Sequence, residues 1–228
     1  VVMHWRRGDG IESDFPKYQW KDKTIGGGLV TTFAEYSVVS ENRITTVPAS
    51  LPSEIAALMG CAVTTALGLV NNEAKLKVGQ SIAIIGTGGV GLNIGMASSL
   101  VSAFPIIGVD IHDFKLKIGK KFGLTHSIIF SKKNFKEKLK RILKKGMADH
   151  VIETTGKSEM IELAYSITAP DGKTILVGVP DKKINIYTLP LHFNKVLTGS
   201  HGGNTNPDKD IPNYINLLNQ KKVDLKKL

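Results

Sequence analysis

The stretch SIAIIGTGGVG, residues 81–91, decides the fold of this 228-residue chain. Its first half, SIAIIG (81–86), is a continuous apolar run, as expected of a strand buried on both faces. Its second half, GTGGVG (86–91), is glycine-rich and leads into a helical pattern through Asn93–Leu100. A strand that turns on glycine into a helix opens a βαβ unit, and the G-x-G-x-x-G spacing gives its glycines separate tasks. Gly86 permits the tight turn, Gly88 lets the backbone approach a pyrophosphate, and Gly91 lets the helix lie close to the strand. Gly89 and Val90 fall where the first helical amides face the phosphates. In a chain with 23 glycines the spacing alone carries little weight, so the strand before it and the helix after it carry the reading.

Outward from this motif the same alternation repeats. PIIGVD (105–110), HSIIF (126–130), HVIETT (150–155), KTILVGV (173–179) and KVLTGS (195–200) read as five further strands. Between them DFKLKIGKKFG (113–123), SKKNFKEKLKRILKKG (131–146) and SEMIELAYSIT (158–168) read as helices. Apolar strands alternating with crossover helices specify an α/β domain of Rossmann type with a doubly wound parallel sheet. Asp110 ends the second strand nineteen residues after Gly91, where an acidic side chain accepts hydrogen bonds from the adenosine ribose hydroxyls. A carboxylate there welcomes a free 2′-hydroxyl and repels a 2′-phosphate, so NAD is favoured over NADP.

The formal charge of +10 invites comparison with nucleic-acid-binding proteins. Its distribution argues otherwise. Nearly all of it is lysine, with arginine only at 6, 7, 43 and 141, and many lysines fall in 131–146. There Phe135, Leu139, Ile142 and Leu143 recur at i, i+4, i+7 and i+8, which makes the lysines the solvated side of an amphipathic helix. No nucleic-acid partner is expected. A single cysteine excludes an intramolecular disulfide framework. No apolar run approaches the ~20 residues of a membrane span and the first ten residues lack signal-peptide layout, so a cytoplasmic protein without a membrane partner is expected.

Residues 1–57 read differently. TTFAEYSVVS (31–40) alternates like a half-exposed strand after the turn material Gly26–Gly28, NRITTVP (42–48) is a second extended stretch, and Pro48 and Pro52 bracket a helix start at Ser53-Glu54. NPDKDIPNYINLLNQKKVDLKKL begins another helix after the sixth strand. The six histidines, His201 among them, show no metal-ligand spacing and read as surface or loop residues. Asp149 and Glu153 read as solvated or capping residues near the cofactor cleft. Cys61, within LMGCAVTTALG (58–68), stays open on residue grounds between a buried structural thiol and a metal ligand.

Taken together, MGCAVTTALG, VGQSIAIIGTGGVGLN, IIGVD and TTFAEYSVV resemble the medium-chain, zinc-dependent alcohol dehydrogenase family, with consistent spacing over almost all of residues 26–228. The resemblance implies three segments: 1–61 as part of a β-rich, GroES-like catalytic domain, 62–201 as the NAD-binding domain, and 202–228 as the start of the return to the catalytic domain. It implies that Cys61 is one of three protein ligands of a catalytic zinc and that Thr65 packs against the nicotinamide. It implies that Lys115 helps Asp110 hold the ribose, and that Val177, Val179, Ser200 and Gly202 hold the carboxamide through their backbone. The implied reaction moves a hydride between an alcohol, polyol or sugar hydroxyl and NAD, with zinc as the Lewis acid. A homodimer or homotetramer, joined at KVLTGS, is also implied.

The departures bear on the zinc. The family's first zinc ligand, its His-Glu segment and its proton-relay hydroxyl are expected upstream of Val1, so this chain alone is expected to be inactive. The interval RRGDGIESDFPKYQWKDKTIGGGLVT lacks the four cysteines of the family's structural-zinc lobe, and structural zinc is not expected. Two other readings remain: a zinc-free NAD(P)H quinone or enone reductase of the same superfamily, and a dinucleotide-binding module without turnover.

Overall fold

Residues 1–220 and Leu225 are described by the computed structural model of the chain. It divides into one unit of Ala66–Asn204 and another of Val1–Thr65 with the chain from Thr205 onward, against the expected segments 1–61, 62–201 and 202–228. Residues 221–224 and 226–228 of the expected return segment lie outside the described residues.

The first elements in the chain are strand β1 (Val2–Met3), a hairpin of β2 (Lys17–Trp20) and β3 (Lys23–Gly26), and strand β4 (Ile44–Thr45), followed by helices α1 (Ser53–Met59) and α2 (Ala62–Gly68). β1 and β4 pair antiparallel, Val2 opposite Thr45. The hairpin turns on Lys21-Asp22, with Lys21 left-handed at φ 55°. That loop lacks the Asn-Gly or Gly-containing signal of a two-residue turn, which is why the sequence pattern does not announce it. His4 is buried rather than on the surface. Its Nδ1 lies 2.7 Å from the Arg6 carbonyl and its Nε2 2.9 Å from Thr45 Oγ1. Burial lowers its pKa.

The expected strand over 31–40 is not formed. Among the described residues this stretch joins no strand ladder; its outward bonds are single ones, such as the Val38 amide to the Tyr18 hydroxyl at 3.3 Å and the Ser13 amide to the Ser40 hydroxyl at 3.0 Å, and Phe33, Tyr36 and Val38 are exposed. Alternation dictates which face of a strand would be buried, but the ladder itself needs a partner's amides and carbonyls.

The second unit is the sheet that the motif foretells. Strands β5 (Ile82–Ile85), β6 (Ile106–Asp110), β7 (His126–Ile129), β8 (Ala148–Glu153), β9 (Thr168–Leu176) and β10 (Val196–Gly199) lie in the order β10-β9-β8-β5-β6-β7, every neighbouring pair parallel. Helices α3 (Gly89–Leu100), α4 (Asp113–Lys121), α5 (Phe135–Ile142) and α6 (Ser158–Ser166) make the crossovers. This is a Rossmann-type fold. Chain order reverses at β5, with β6 on one side and β8 on the other, and such switch points open a crevice at the carboxyl ends of the strands. All four residues of β5 are buried. A core of Ala83, Ile85, Ile107, Val109 and Val151 continues through Phe135 and Leu139 of α5. On α5, Lys136, Lys140 and Arg141 are exposed opposite that stripe.

The fifth strand differs from its expected span of 173–179. It starts at Thr168 and ends at Leu176, with a register shift against β8 between Ala148 and His150. The turn-forming Pro170-Asp171-Gly172 is thus contained in an irregular strand start, and Val177 leaves the ladder to donate its amide to the Glu153 carbonyl at 2.8 Å.

The chain ends its described course in helix α7 (Pro207–Asn219) of the first unit. There Thr45 Oγ1 donates to Asp208 Oδ1 at 2.7 Å, tying β4 to the start of α7. Among the described residues no single helix is long and apolar enough to cross a membrane.

Candidate functional site

The crevice at the switch point is a cleft of ≈ 430 Å³ lined by Gly86 and Gly88 after β5, Asp110 at the end of β6 and His112 beyond it, Lys115 on α4, and Thr154 and Thr155 after β8. Each strand ends there because its apolar run ends. Glycine follows Ile85, Asp110 follows Val109, and Thr154-Thr155 follow Glu153.

Two glycines of the motif are demanded by the fold and two are not. A Cβ on Gly91 would lie 2.0 Å from the Gly86 carbonyl oxygen, so the close approach of α3 to the end of β5 requires glycine. Gly86 has φ +90°, and a Cβ there would strike Thr154 Oγ1 at 2.4 Å. A Cβ on Gly88 or Gly89, by contrast, would meet nothing within 4 Å among the described residues. Gly88 is the N-cap of α3 and offers no side chain to the first helical amides. Open backbone and uncapped amides at a helix N-terminus fit a pyrophosphate. Val90, half-buried, begins the helix beside them.

Asp110 is the charged centre of the cleft. Its Oδ2 accepts from the Thr87 amide at 2.8 Å and the Thr87 hydroxyl at 3.1 Å, while Oδ1 accepts from the His112 amide at 3.0 Å. Lys115 Nζ stands 4.0 Å from Oδ2. Burial pushes the carboxyl pKa up, but the Thr87 and His112 hydrogen bonds and the Lys115 charge outweigh it and hold Asp110 below its ordinary value. A carboxylate oxygen accepts about two hydrogen bonds, so Oδ1 keeps capacity for one more donor, and the Lys115 ammonium, on the Oδ2 side, supplies further donors to the cleft.

Thr154 and Glu153 brace this edge. Thr154 Oγ1 lies within hydrogen-bond distance of the Ile85 and Gly86 carbonyls, at 2.9 and 3.0 Å. The Glu153 carboxylate, fully buried, accepts from the Thr155 amide and hydroxyl and from the Gly156 amide. It is enclosed by the turn after β8 rather than solvated, and it stops short of α6, whose N-cap residue makes no side-chain capping bond. Asp149 lies at the opposite, amino end of the strands, where Ser81 donates to it through both amide and hydroxyl. The sequence offers no signal for Thr87 or Thr154, because a threonine in a turn carries no spacing rule.

The remaining candidates are spread out. Val177, Val179, Ser200 and Gly202 follow the carboxyl ends of β9 and β10 but do not line the cleft that holds Asp110. Ser200 donates its amide to the Leu176 carbonyl at 2.8 Å, and its hydroxyl accepts from the Gly203 amide at 3.1 Å. Val179 is exposed. His201 is exposed as well, whereas His150 is buried in β8. Cys61 and Thr65 belong to the other unit. Cys61 is an exposed free thiol between α1 and α2, so it does not fill a core, and its carbonyl accepts the amide of the buried Thr65 at 2.9 Å. Among the described residues no group of three or more His, Cys, Asp and Glu side chains could hold a metal ion. The described residues therefore do not by themselves fit a zinc centre.

Residues 89–220 match the family described as zinc-binding dehydrogenase. The chain is 31% identical to the alcohol dehydrogenase class-P of Arabidopsis thaliana, over 99% of its own length and 61% of that relative. It is 33% identical to an alcohol dehydrogenase of Malus domestica, over 97% of its length and 60% of the relative. Among solved structures it is similar to benzyl alcohol dehydrogenase from Acinetobacter calcoaceticus, with a TM-score of 0.74 and 28% identity over 81% of this chain and 51% of that one. It is also similar to an alcohol dehydrogenase zinc-binding domain protein from Burkholderia ambifaria, with a TM-score of 0.75 and 27% identity over 81% and 50%. The chain spans roughly half to three fifths of the length of these proteins.

Proposed function

The chain belongs to the zinc-binding dehydrogenase family, and from that premise we propose that it binds NAD at the switch-point cleft and serves hydride transfer to and from an alcohol, polyol or sugar hydroxyl. The observation that carries the reading is the pairing of open backbone at Gly88 and Gly89 with an anionic, partly unsaturated Asp110 across one cleft. The α3 amides bind the pyrophosphate, which needs no cation at that point because the helix N-terminus is itself positive. Asp110 Oδ1 accepts one ribose hydroxyl and Lys115 donates to the other. A 2′-phosphate would bring no donor and would meet a fixed negative charge.

The nicotinamide supplies the hydride acceptor. The protein's part is to hold it still. Backbone at Val177, Val179, Ser200 and Gly202 orients the carboxamide, and Thr65 packs against the ring. The unit of Val1–Thr65 and Thr205 onward is assigned to a GroES-like catalytic domain, with Cys61 as one zinc ligand in an enzyme of the relatives' length. That metal needs further donors beyond those the described residues bring together. The free edge of β10 is the assigned surface for a homodimer or homotetramer.

Titration of NADH fluorescence tests the cofactor reading. Wild type binds NADH more tightly than NADPH, and Asp110→Ala abolishes most of that preference. Equal affinity for both cofactors in wild type, or an Asp110→Ala variant as selective as wild type, refutes it.

A further inference from the structure

The least expected residue in the glycine motif is Thr87, at the position between Gly86 and Gly88. It is fully buried, although it sits in a turn at the mouth of the cleft. Both of its donors go to one atom: the amide at 2.8 Å and the hydroxyl at 3.1 Å from Asp110 Oδ2. Its methyl lies over Gly108, where an added Cβ would come to 3.1 Å from Thr87 Cγ2. Gly108 and Asp110 are two apart on β6 and so share a face of the strand. The missing side chain at 108 makes room for Leu124, whose Cδ1 an added Cβ would meet at 2.3 Å, and beside it for the Thr87 methyl, and the hydroxyl on the same carbon as that methyl then reaches Asp110. A β-branched side chain has few χ1 choices, so one packing contact fixes the direction of the hydrogen bond.

We propose that Thr87 is a positioning residue that fixes the Asp110 carboxylate and thereby selects a dinucleotide with a free 2′-hydroxyl. The proposal rests on the NAD reading above and goes beyond it by naming what orients the carboxylate. With two bonds from Thr87 on Oδ2, that oxygen is saturated, and Oδ1 becomes the acceptor offered to the ribose. Without the hydroxyl, the carboxylate keeps one amide on each oxygen and can rotate to relieve a phosphate. Selectivity then falls along with affinity.

The test is a set of NADH and NADPH titrations on the full chain: wild type, Thr87→Val, Thr87→Ser, Asp110→Asn, and the Thr87→Val/Asp110→Asn double variant. Valine keeps the shape and removes the hydroxyl; serine keeps the hydroxyl and removes the methyl. Thr87→Val is expected to weaken NADH binding about tenfold, the usual scale for one hydrogen bond to a charged group. It weakens NADPH binding less, so the preference narrows. Thr87→Ser retains NADH affinity within about threefold of wild type. In the Asp110→Asn background, Thr87→Val adds less than about twofold, because the two residues act as one unit. Thr87→Ala replaces Thr87→Val if thermal unfolding shows that the valine chain does not fold. The proposal is overturned if Thr87→Val matches wild type, if its loss is undiminished in Asp110→Asn, or if serine is as weak as valine. A wild-type chain that binds no NADH overturns the cofactor reading itself, and this one with it.

Discussion

The two units of the chain treat their apolar side chains in opposite ways. In Ala66–Asn204 the strand residues Ile82, Ile84, Ile107, Val151 and Ile175 are all completely buried. In Val1–Thr65, which does bury Val2, Ile55, Met59 and Val63, the aromatic Phe33 is 105% exposed and Tyr36 91% exposed. Composition does not separate them, since both segments carry ordinary numbers of apolar residues. Partnership does. Each strand of the parallel sheet finds its neighbours within the same 139-residue stretch and its cover in the crossover helices. The stretch 31–40 has the right alternation for a strand and joins no sheet among the described residues. A hydrophobic pattern is a request for a neighbour, and only the structure reveals whether the neighbour is there.

Substitutions can break that comparison, and the largest effect is expected at its most buried point. Ile84→Ala, in the middle of β5, should cost about 4 kcal/mol, as cavity-forming core substitutions of this size do. A urea midpoint unchanged from wild type would mean that the sheet is not the cooperative core of its unit. Gly91→Ala comes next, at about 3 kcal/mol, because its Cβ meets a backbone oxygen that cannot move without α3 or β5 moving. NADH binding should go with it. Gly88→Ala separates fold from ligand: with nothing within 4 Å of the new Cβ, stability should stay within about 0.5 kcal/mol of wild type while NADH affinity falls. Equal loss of stability in the two glycine variants would remove the distinction between packing glycine and ligand glycine.

Asp110 gives a smaller effect with a definite pH signature. Its folded pKa lies below its unfolded value, so its contribution is fully present above about pH 4 and is lost as pH falls through the folded pKa. Asp110→Asn should therefore be about 1 kcal/mol less stable than wild type at neutral pH, with the gap closing under acid. Urea unfolding at a series of pH values measures it. A gap that stays constant down to pH 2 would show that the Thr87 and His112 bonds do not favour the charged carboxylate.

The same contrast explains what was legible in the sequence. The six strands, the crossover helices, Asp110 and the glycine motif could be read because each rests on a local rule: periodicity, a turn residue, or a fixed spacing along one βαβ unit. The buried stripe of α5 was readable for the same reason, and Phe135 and Leu139 occupy it. Thr87 and Thr154 were not readable, since their partners, the Asp110 carboxylate and the Ile85 carbonyl, meet them only once neighbouring strands are aligned. His4 misled for a related reason. Its ring is buried by a hydrogen bond to Thr45, forty-one residues away, and no nearby sequence announces that contact.

The smallest expected effect bears most directly on the comparison. Phe33→Ser removes an aromatic ring that the structure leaves entirely in solvent. Surface substitutions of this kind change stability by no more than about 0.5 kcal/mol, because the ring is as hydrated in the folded chain as in the unfolded one. The urea midpoint should therefore hold, and the same should be true of Tyr36→Ser. What should change is colloidal behaviour: neighbouring exposed rings at Phe33 and Tyr36 favour self-association, and removing one should lower light scattering at high protein concentration. Phe33→Ser losing more than about 2 kcal/mol would mean that 31–40 is packed in solution after all, on the scale of burying one large side chain. The contrast between the two units would then vanish, and the alternation in TTFAEYSVVS would mark a strand whose partner forms within the chain itself.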